Sequence, residues 1–218
     1  MEILKDIEID LNRDLVLDSP PLSKWIKSEK TRGKLEKLLD KWGKEVERRL
    51  SVEAAYNVLK AEETNIEQYS PPDPILEAEY LAMGIVTIGN RIEEGKEEPE
   101  FSLEKVVIDT LENVALDQSV RKVVGIIRGK AEADGLKLSR VISPGSGRIN
   151  WGIENQEFIC KYLKPEVIGV SLTSKYALNP SKSVSFLIGL GRDFETPENL
   201  FSCEGCERFD CPYRVEGF

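Results

Sequence analysis

The stretch Ile168–Gly191, IGVSLTSKYALNPSKSVSFLIGLG, decides the fold class. Two β-type runs fall here, Ser183–Leu190 and Val167–Leu172, the latter beginning one residue before the quoted stretch. The polar connection between them predicts a turn at Asn179–Ser181. The order strand, connection, strand is typical of a hairpin. Gly189–Gly191 does not complete a dinucleotide-binding fingerprint, because the third glycine and the following helix are missing.

The chain before this stretch is dominated by helical patterns. Leucine, tryptophan and valine recur at helical spacing over Thr31–Leu50, with charged residues on the other face. Ser51 predicts the N-cap of a second helix through Val58, and the breakers in Ser70–Pro74 predict a loop. The apolar run within Ile75–Ile92 predicts a buried helix, with a strand over Ile85–Ile88 as the alternative.

Two further helices are predicted, one that begins at Ser102 and continues to Ile127, and one over Ile153–Leu163. Helices that come first and strands that come later favour an α+β (mixed α/β) fold. We expect residues 1–50 to form an N-terminal helical extension. Residues 51–218 then form the main domain, with a cysteine-rich tail over residues 203–214.

The composition excludes several classes of partner. The chain has 218 residues, a formal net charge of −9 and 40% hydrophobic residues. Nucleic acids and anionic membranes attract clustered Lys and Arg, so neither partner is expected. No apolar run is long enough to cross a bilayer, and the first residues lack the apolar core of a signal peptide. We therefore expect a cytoplasmic protein.

The chain contains no histidine. This absence excludes Ser-His and Cys-His nucleophiles, imidazole acid/base chemistry and His-ligated zinc. It also means that the chain cannot supply an imidazole ligand to cobalt. Chemistry here has to use carboxylates, backbone groups, hydroxyls, thiolates, Lys or Arg, which suits a substrate that arrives already activated.

A second informative stretch is Ser139–Asn150, SRVISPGSGRIN. Its glycines allow a ligand to approach the backbone closely. Arg140 and Arg148 flank the turn, and an arginine can bind a carboxylate with two parallel hydrogen bonds. The alternative interpretation is a surface turn between a strand and a helix.

Three of the four cysteines lie close together near the end of the chain: Cys203, Cys206 and Cys211. A C-x-x-C motif with a third cysteine nearby predicts a metal site or an iron–sulfur cluster. The fourth ligand would be Cys160, Asp210 or an external group. The alternatives are reduced structural thiols or a Cys203–Cys206 redox pair.

The two stretches together, in this order and at this separation, resemble the C-terminal activation domain of cobalamin-dependent methionine synthases. The resemblance rests on Ser143–Ser146 (SPGS), Ile168–Ser174 (IGVSLTS) and Pro180–Ser185 (PSKSVS). It covers roughly residues 50 to 218. The family has an arginine three residues before the proline, where this chain has Val141, and a tyrosine at the position of Ser146.

The resemblance implies a C-shaped mixed α/β domain with a central, largely antiparallel sheet flanked by helices. It implies that S-adenosylmethionine binds mainly to backbone groups of the Pro-Gly loop, and that a carboxylate on the long helix, at Asp117, faces the ligand. The predicted binding residues are Asp117, Arg140, Ser143, Pro144, Gly145 and Ser146.

The implied function is the reductive methylation of cob(II)alamin, the reactivation step of methionine biosynthesis, as an accessory protein. The cobalamin would be held by a separately encoded methionine synthase core, and a flavodoxin- or ferredoxin-type protein would supply the electron. Two alternatives remain open at this point. The cysteines could make this a cluster-containing redox protein that serves a corrinoid enzyme, or the chain could be a docking scaffold that has lost its ligand site.

Overall fold

A computed structural model describes residues 1–92, 102–146 and 151–201 of the chain. The strands are β1 (Glu2–Leu4), β2 (Glu53–Lys60), β3 (Tyr80–Thr87), β4 (Lys137–Leu138), β5 (Ser171–Leu172), β6 (Leu178–Asn179) and β7 (Ser183–Gly191). The α-helices are α1 (Arg13–Asp18), α2 (Leu22–Trp25), α3 (Glu29–Arg49), α4 (Asp73–Leu76), α5 (Ser102–Ala133) and α6 (Gln156–Leu163). Short 3-10 turns cover Ala61–Glu63, Ile66–Tyr69, Asn90–Ile92, Ile153–Asn155 and Pro165–Ile168.

A five-stranded sheet with the strand order β1-β2-β3-β7-β4 forms the centre of the fold. Each pair of neighbouring strands in it is antiparallel. One face of the sheet packs against α5, and the other face packs against α6. The predicted class, a mixed α and β fold with a central antiparallel sheet flanked by helices, is confirmed.

The helix predicted over Ile75–Ile92 is wrong. The apolar centre of this segment is β3, which pairs along its whole length with β2 on one side and with β7 on the other. Every residue from Leu81 to Thr87 is buried. A strand that is covered on both faces shows no alternation of polar and apolar residues, so its pattern cannot be distinguished from that of a buried helix.

The helix predicted to follow Ser51 is also wrong, because Glu53–Lys60 is the strand β2. Ala54 contributes to the core beneath α5, and Ala55 contributes to the core beneath α6. The Ser51 amide donates to the Ile88 carbonyl at 3.0 Å and extends the ladder with β3. Pairing along the full length of β3 therefore outweighs the helical preference of the alanines.

The two β-type runs within residues 167–191 do not pair with each other. The 3-10 turn Pro165–Ile168 occupies the start of the first run, and only Ser171–Leu172 is a strand, paired with β6. The second run forms β7, which pairs with β3 and β4. A buried strand of nine residues needs a partner of similar length, and the eight-residue β3 provides one.

The other helix predictions are confirmed. The helix predicted over Thr31–Leu50 is α3, and the Ser28 hydroxyl caps it by accepting from the Thr31 amide. The helix predicted from Ser102 is α5. The helix predicted over Ile153–Leu163 consists of the 3-10 turn Ile153–Asn155 and of α6, which follows it directly.

Residues 1–50 form a strand as well as helices. The strand β1 pairs with β2, and the helices of this segment share a hydrophobic cluster with α5 that includes Leu35, Leu39 and Leu111. Among the described residues, the structure contains no helix that is both long enough and apolar enough to cross a membrane.

A close approach between β3 and β7 explains the glycine in the middle of β3. Gly84 lies opposite Phe186, and a Cβ atom added to Gly84 would lie 2.1 Å from the Phe186 Cζ. Phe186 is fully buried, so any movement of its ring would disturb neighbouring core side chains. Glycine at this position therefore leaves space for a core aromatic ring.

We predict that Gly84→Ala lowers the free energy of unfolding by about 1–3 kcal/mol, because it overpacks the core between β3 and β7. Urea denaturation measures the change. The matched control is Gly125→Ala on the exposed surface of α5, where an added Cβ meets no atom within 4 Å. The control should raise stability by about 0.5–1 kcal/mol. Equal effects of the two changes would contradict the assigned packing.

Candidate functional site

A cleft of about 440 Å³ opens between α5, the loop that follows β4, and the start of β7. The helix lines it with Asn113, Leu116, Asp117 and Val120. Residues three or four positions apart lie on the same face of a helix, so this spacing turns one stripe of α5 toward the cleft. The stripe offers one amide, one carboxylate and two apolar side chains to the cleft.

The opposite wall of the cleft comes from three other segments. The loop contributes Val141, Ser143 and Ser146, β7 contributes Val184, and Phe201 contributes an aromatic ring. The cleft is therefore largely apolar, with hydroxyl and carboxylate groups at a few places. This composition is typical of a small-molecule site, and so is its volume, since such sites measure roughly 300–1,000 Å³.

Backbone hydrogen bonds fix the first part of the loop to β7. Ile142 and Leu187 exchange two of them, at 2.9 and 2.7 Å. The Ser139 amide donates to the Gly189 carbonyl, and the Ser139 hydroxyl accepts from the Gly189 amide, both at 2.8 Å. The loop therefore leaves the sheet at a defined place, next to α5.

The amides of the Pro-Gly turn are already paired within the protein. The Gly145 amide donates to the Trp151 carbonyl at 2.8 Å, and the Ser146 amide donates to the Ser143 carbonyl at 3.1 Å. These two amides are therefore not available for a ligand, although Ser143 and Ser146 line the cleft. The resemblance implies contact with backbone groups of this loop, and these two amides could provide it only after the turn rearranges.

Gly145 has a backbone conformation and surroundings that exclude a side chain. Its φ is +72°, in the left-handed region that favours glycine. A Cβ atom at this position would lie 2.9 Å from the Cβ of Ile153. Pro144, one residue earlier, is buried. These two residues shape the turn, and the serines on either side of them line the cleft.

Asp117 lies on the edge of the cleft and forms an ion pair with Arg121, one helical turn later. The Arg121 Nε donates to the Asp117 Oδ2 at 2.7 Å, and both side chains are about half exposed (50% and 55%). The guanidinium carbon of Arg121 lies 4.4 Å from the centre of the Phe201 ring. Arg121 thus contacts two residues that line the cleft.

Lys182 forms a second group of polar contacts next to the cleft, with side chains of α5. The Lys182 ammonium donates to Asp109 Oδ1 at 2.5 Å and to Asn113 Oδ1 at 2.7 Å. It also lies 3.5 Å from a carboxylate oxygen of Glu112, whose side chain is only 3% exposed. The Asn113 amide nitrogen donates to Asp109 Oδ2 at 3.0 Å. These contacts fix the Asn113 side chain and tie α5 to the residue that precedes β7.

The structure brings together three of the six predicted ligand-binding residues: Asp117, Ser143 and Ser146 line one cleft. Arg140 is half-buried and does not line the cleft. Sequence reasoning missed Arg121 and Phe201. The i,i+4 spacing of Asp117 and Arg121 was the only available signal for Arg121, and it is common on exposed helices.

A second cleft, of about 420 Å³, lies near the ends of β2 and β3. Its lining is more polar and includes Lys5, Glu53 and Arg91. None of the residues predicted to bind a ligand lies there. We therefore take the cleft beside α5 as the candidate site.

The predicted metal ligands Cys203, Cys206 and Cys211 lie outside the described residues. Within residues 1–92, 102–146 and 151–201, no group of three or more Cys, Asp or Glu side chains could hold a metal ion. Cys160 lies in α6 and is half-buried. Its pKa is raised from 9.0 to about 11, mainly by burial and further by the negative charges of Glu166 and Glu157. This environment disfavours the thiolate that a metal would require.

Comparison with known proteins identifies a structural neighbour but no family. No protein-family model matches the chain, and no curated protein matches it in sequence. Among solved structures, the fold is similar to the crystal structure of the MetH reactivation domain bound to AdoHcy, with a TM-score of 0.54 and 12% sequence identity. The match covers 98% of this chain and 90% of that one. The similarity is one of fold.

We predict that Cys160 reacts slowly with iodoacetamide in the native protein. In a variant in which serine replaces Cys203, Cys206 and Cys211, Cys160 is the only remaining thiol. At about pH 8, a pKa near 11 leaves roughly a hundredfold less thiolate than a pKa of 9.0, so alkylation slows by about that factor. The control is the same variant in urea, and a native rate as fast as the denatured rate would contradict the assigned burial.

Proposed function

We propose that this chain binds S-adenosylmethionine in the cleft beside α5 and supports reactivation of a cobalamin-dependent methionine synthase. One observation carries the proposal. Asp117, Ser143 and Ser146 are among the ligand-binding residues that the resemblance predicts, and they line one cleft although they belong to two separate segments. The similarity of fold to a MetH reactivation domain bound to AdoHcy supports the same function.

The residues present in the cleft suit the chemical groups of this ligand. The apolar side chains of Leu116 and Val120 and the ring of Phe201 suit a purine. The hydroxyls of Ser143 and Ser146 can exchange hydrogen bonds with ribose hydroxyls. The Asp117 carboxylate provides a negative charge for a ligand that carries an ammonium and a sulfonium.

A protein without histidine can support this reaction because the methyl donor is already activated. When bound, S-adenosylmethionine would supply a methyl group for the partner's cobalt(I), with cleavage of the sulfonium carbon–sulfur bond and S-adenosylhomocysteine as the product. No side chain of the chain needs to transfer a proton in that step. The contribution of the chain is to hold the donor in one place and orientation, which alone can supply a large rate enhancement.

The proposal includes partners for the reaction. A cobalamin-binding methionine synthase core, encoded separately, would dock in trans and present its cobalt at the cleft. A flavodoxin- or ferredoxin-type protein would reduce cob(II)alamin to cob(I)alamin before the methyl transfer. Because the chain has no histidine, any imidazole ligand to cobalt has to come from the partner. Such a system would work in the cytoplasm.

We predict that the wild-type chain binds both S-adenosylmethionine and S-adenosylhomocysteine, and that Asp117→Asn weakens S-adenosylmethionine binding about tenfold. The reason is the loss of a charge-assisted hydrogen bond to a cationic group of the ligand. Isothermal titration calorimetry measures both affinities.

The matched control for Asp117→Asn is Glu132→Gln. Glu132 forms the same type of pair on the same helix, since the Arg128 Nε donates to it at 2.7 Å and the side chains are 46% and 51% exposed. It does not line the cleft, so its replacement should leave affinity unchanged. If the wild-type chain binds neither ligand, the proposed function is overturned.

A second prediction tests the turn. Gly145→Ala should weaken S-adenosylmethionine binding several-fold, because the new Cβ meets Ile153 and displaces Ser143 and Ser146 from the cleft. Calorimetric titration checks this outcome. The control is Gly135→Ala, since Gly135 also has a φ of +72° but an added Cβ there meets no atom within 4 Å. The two variants should lose similar backbone stability, and equal losses of affinity would contradict the placement of the site.

A further inference from the structure

The ion pair at the edge of the cleft leaves most of its hydrogen-bonding groups available. Arg121 donates to Asp117 only through Nε, and within the described part of the chain its terminal nitrogens have no hydrogen-bond partner. A guanidinium has five N–H donors in a planar arrangement, so several can still bind a second anion. The Asp117 Oδ1 likewise accepts no hydrogen bond from another described residue.

The Phe201 ring holds the Arg121 guanidinium in place. The 4.4 Å separation is that of a cation–π contact. Since the same ring lines the cleft, the contact keeps the guanidinium beside the cleft and restricts its orientation. An arginine that is restrained in this way loses less freedom when it binds a carboxylate with two parallel hydrogen bonds.

The pair can be rearranged at low cost. Both side chains are about half exposed, and ion pairs with this exposure contribute little to stability. A ligand that supplies an ammonium to Asp117 and a carboxylate to Arg121 would replace one weak contact with two charge-assisted ones.

From these contacts we infer that Arg121 determines specificity by binding the α-carboxylate of the ligand, while Asp117 binds its α-ammonium. The side-by-side negative and positive groups on α5 are complementary in charge to the zwitterionic end of an amino acid. The inference rests on the proposed function for the location of the ligand. It assigns carboxylate recognition to Arg121 in place of the loop residue Arg140. Neither arginine lines the cleft itself, but Arg121 contacts two residues that do, Asp117 and Phe201.

The test compares S-adenosylmethionine with decarboxylated S-adenosylmethionine, which keeps the ammonium and the sulfonium but lacks the carboxylate. The wild-type chain should bind S-adenosylmethionine about tenfold more tightly, a modest factor because the pair is half exposed. Arg121→Gln should abolish this preference and leave the affinity for the decarboxylated ligand within about twofold of its wild-type value. Arg121→Lys, which keeps the charge but not the planar donors, should retain part of the preference.

The matched control is Arg128→Gln, which removes the equivalent arginine from the Arg128–Glu132 pair on α5, away from the cleft. It should keep the wild-type preference. Thermal unfolding of each variant shows that α5 remains folded.

The outcomes separate this inference from the proposed function. If the wild-type chain binds both ligands equally, or if Arg121→Gln keeps the preference, the inference is overturned and the proposed function stands. The inference is also overturned if Arg121→Gln lowers the affinity for both ligands equally, since Arg121 would then act only by positioning its neighbours. If the wild-type chain binds neither ligand, the proposed function fails and the inference fails with it.

Discussion

The pairing of β7 with β3 is the constraint on which the rest of the molecule depends. These two strands are largely buried and pair over eight residues, and the space left by Gly84 accommodates the Phe186 ring. Because α5 packs on one face of the pair and the loop bridges to Leu187 of β7, both walls of the cleft are positioned by the same strand. The location of the cleft is therefore a consequence of the core.

The sequence predicts the helices of this fold better than its central strands. The helix α3 has one apolar face and one charged face, so its period is visible in the residues, and the start of α5 is predicted at Ser102. The strands β2 and β3 lack a comparable signal, because β3 has no solvent-facing side and β2 contains alanines that favour helix. Their true pairing depends on contacts between segments that are distant in the sequence, which no local pattern reveals.

Local sequence patterns also fail to predict several of the residues in and beside the cleft. Asp117, Ser143 and Ser146 could be selected because a multi-part resemblance pointed to them, and the fold brings them together. Arg121 could not be selected, since an Asp–Arg pair at i,i+4 is ordinary on an exposed helix. Phe201 carries no local signal at all. Its place in the cleft follows from the segment after β7, which returns to the sheet where the Leu200 carbonyl accepts from the Val141 amide.

The two sets of charged side chains beside the cleft, Lys182 with its partners and Asp117 with Arg121, differ in how much it costs to separate them. Lys182 is 16% exposed and Glu112 is 3% exposed, and removing one partner of such a buried pair typically costs about 3–5 kcal/mol, because an uncompensated charge remains. Asp117 and Arg121 are half exposed, so separating them costs little. The buried group can therefore fix α5 against the sheet while the exposed pair exchanges partners. The proposed binding of a zwitterion would therefore use the exposed pair and leave unchanged the buried contacts that hold α5.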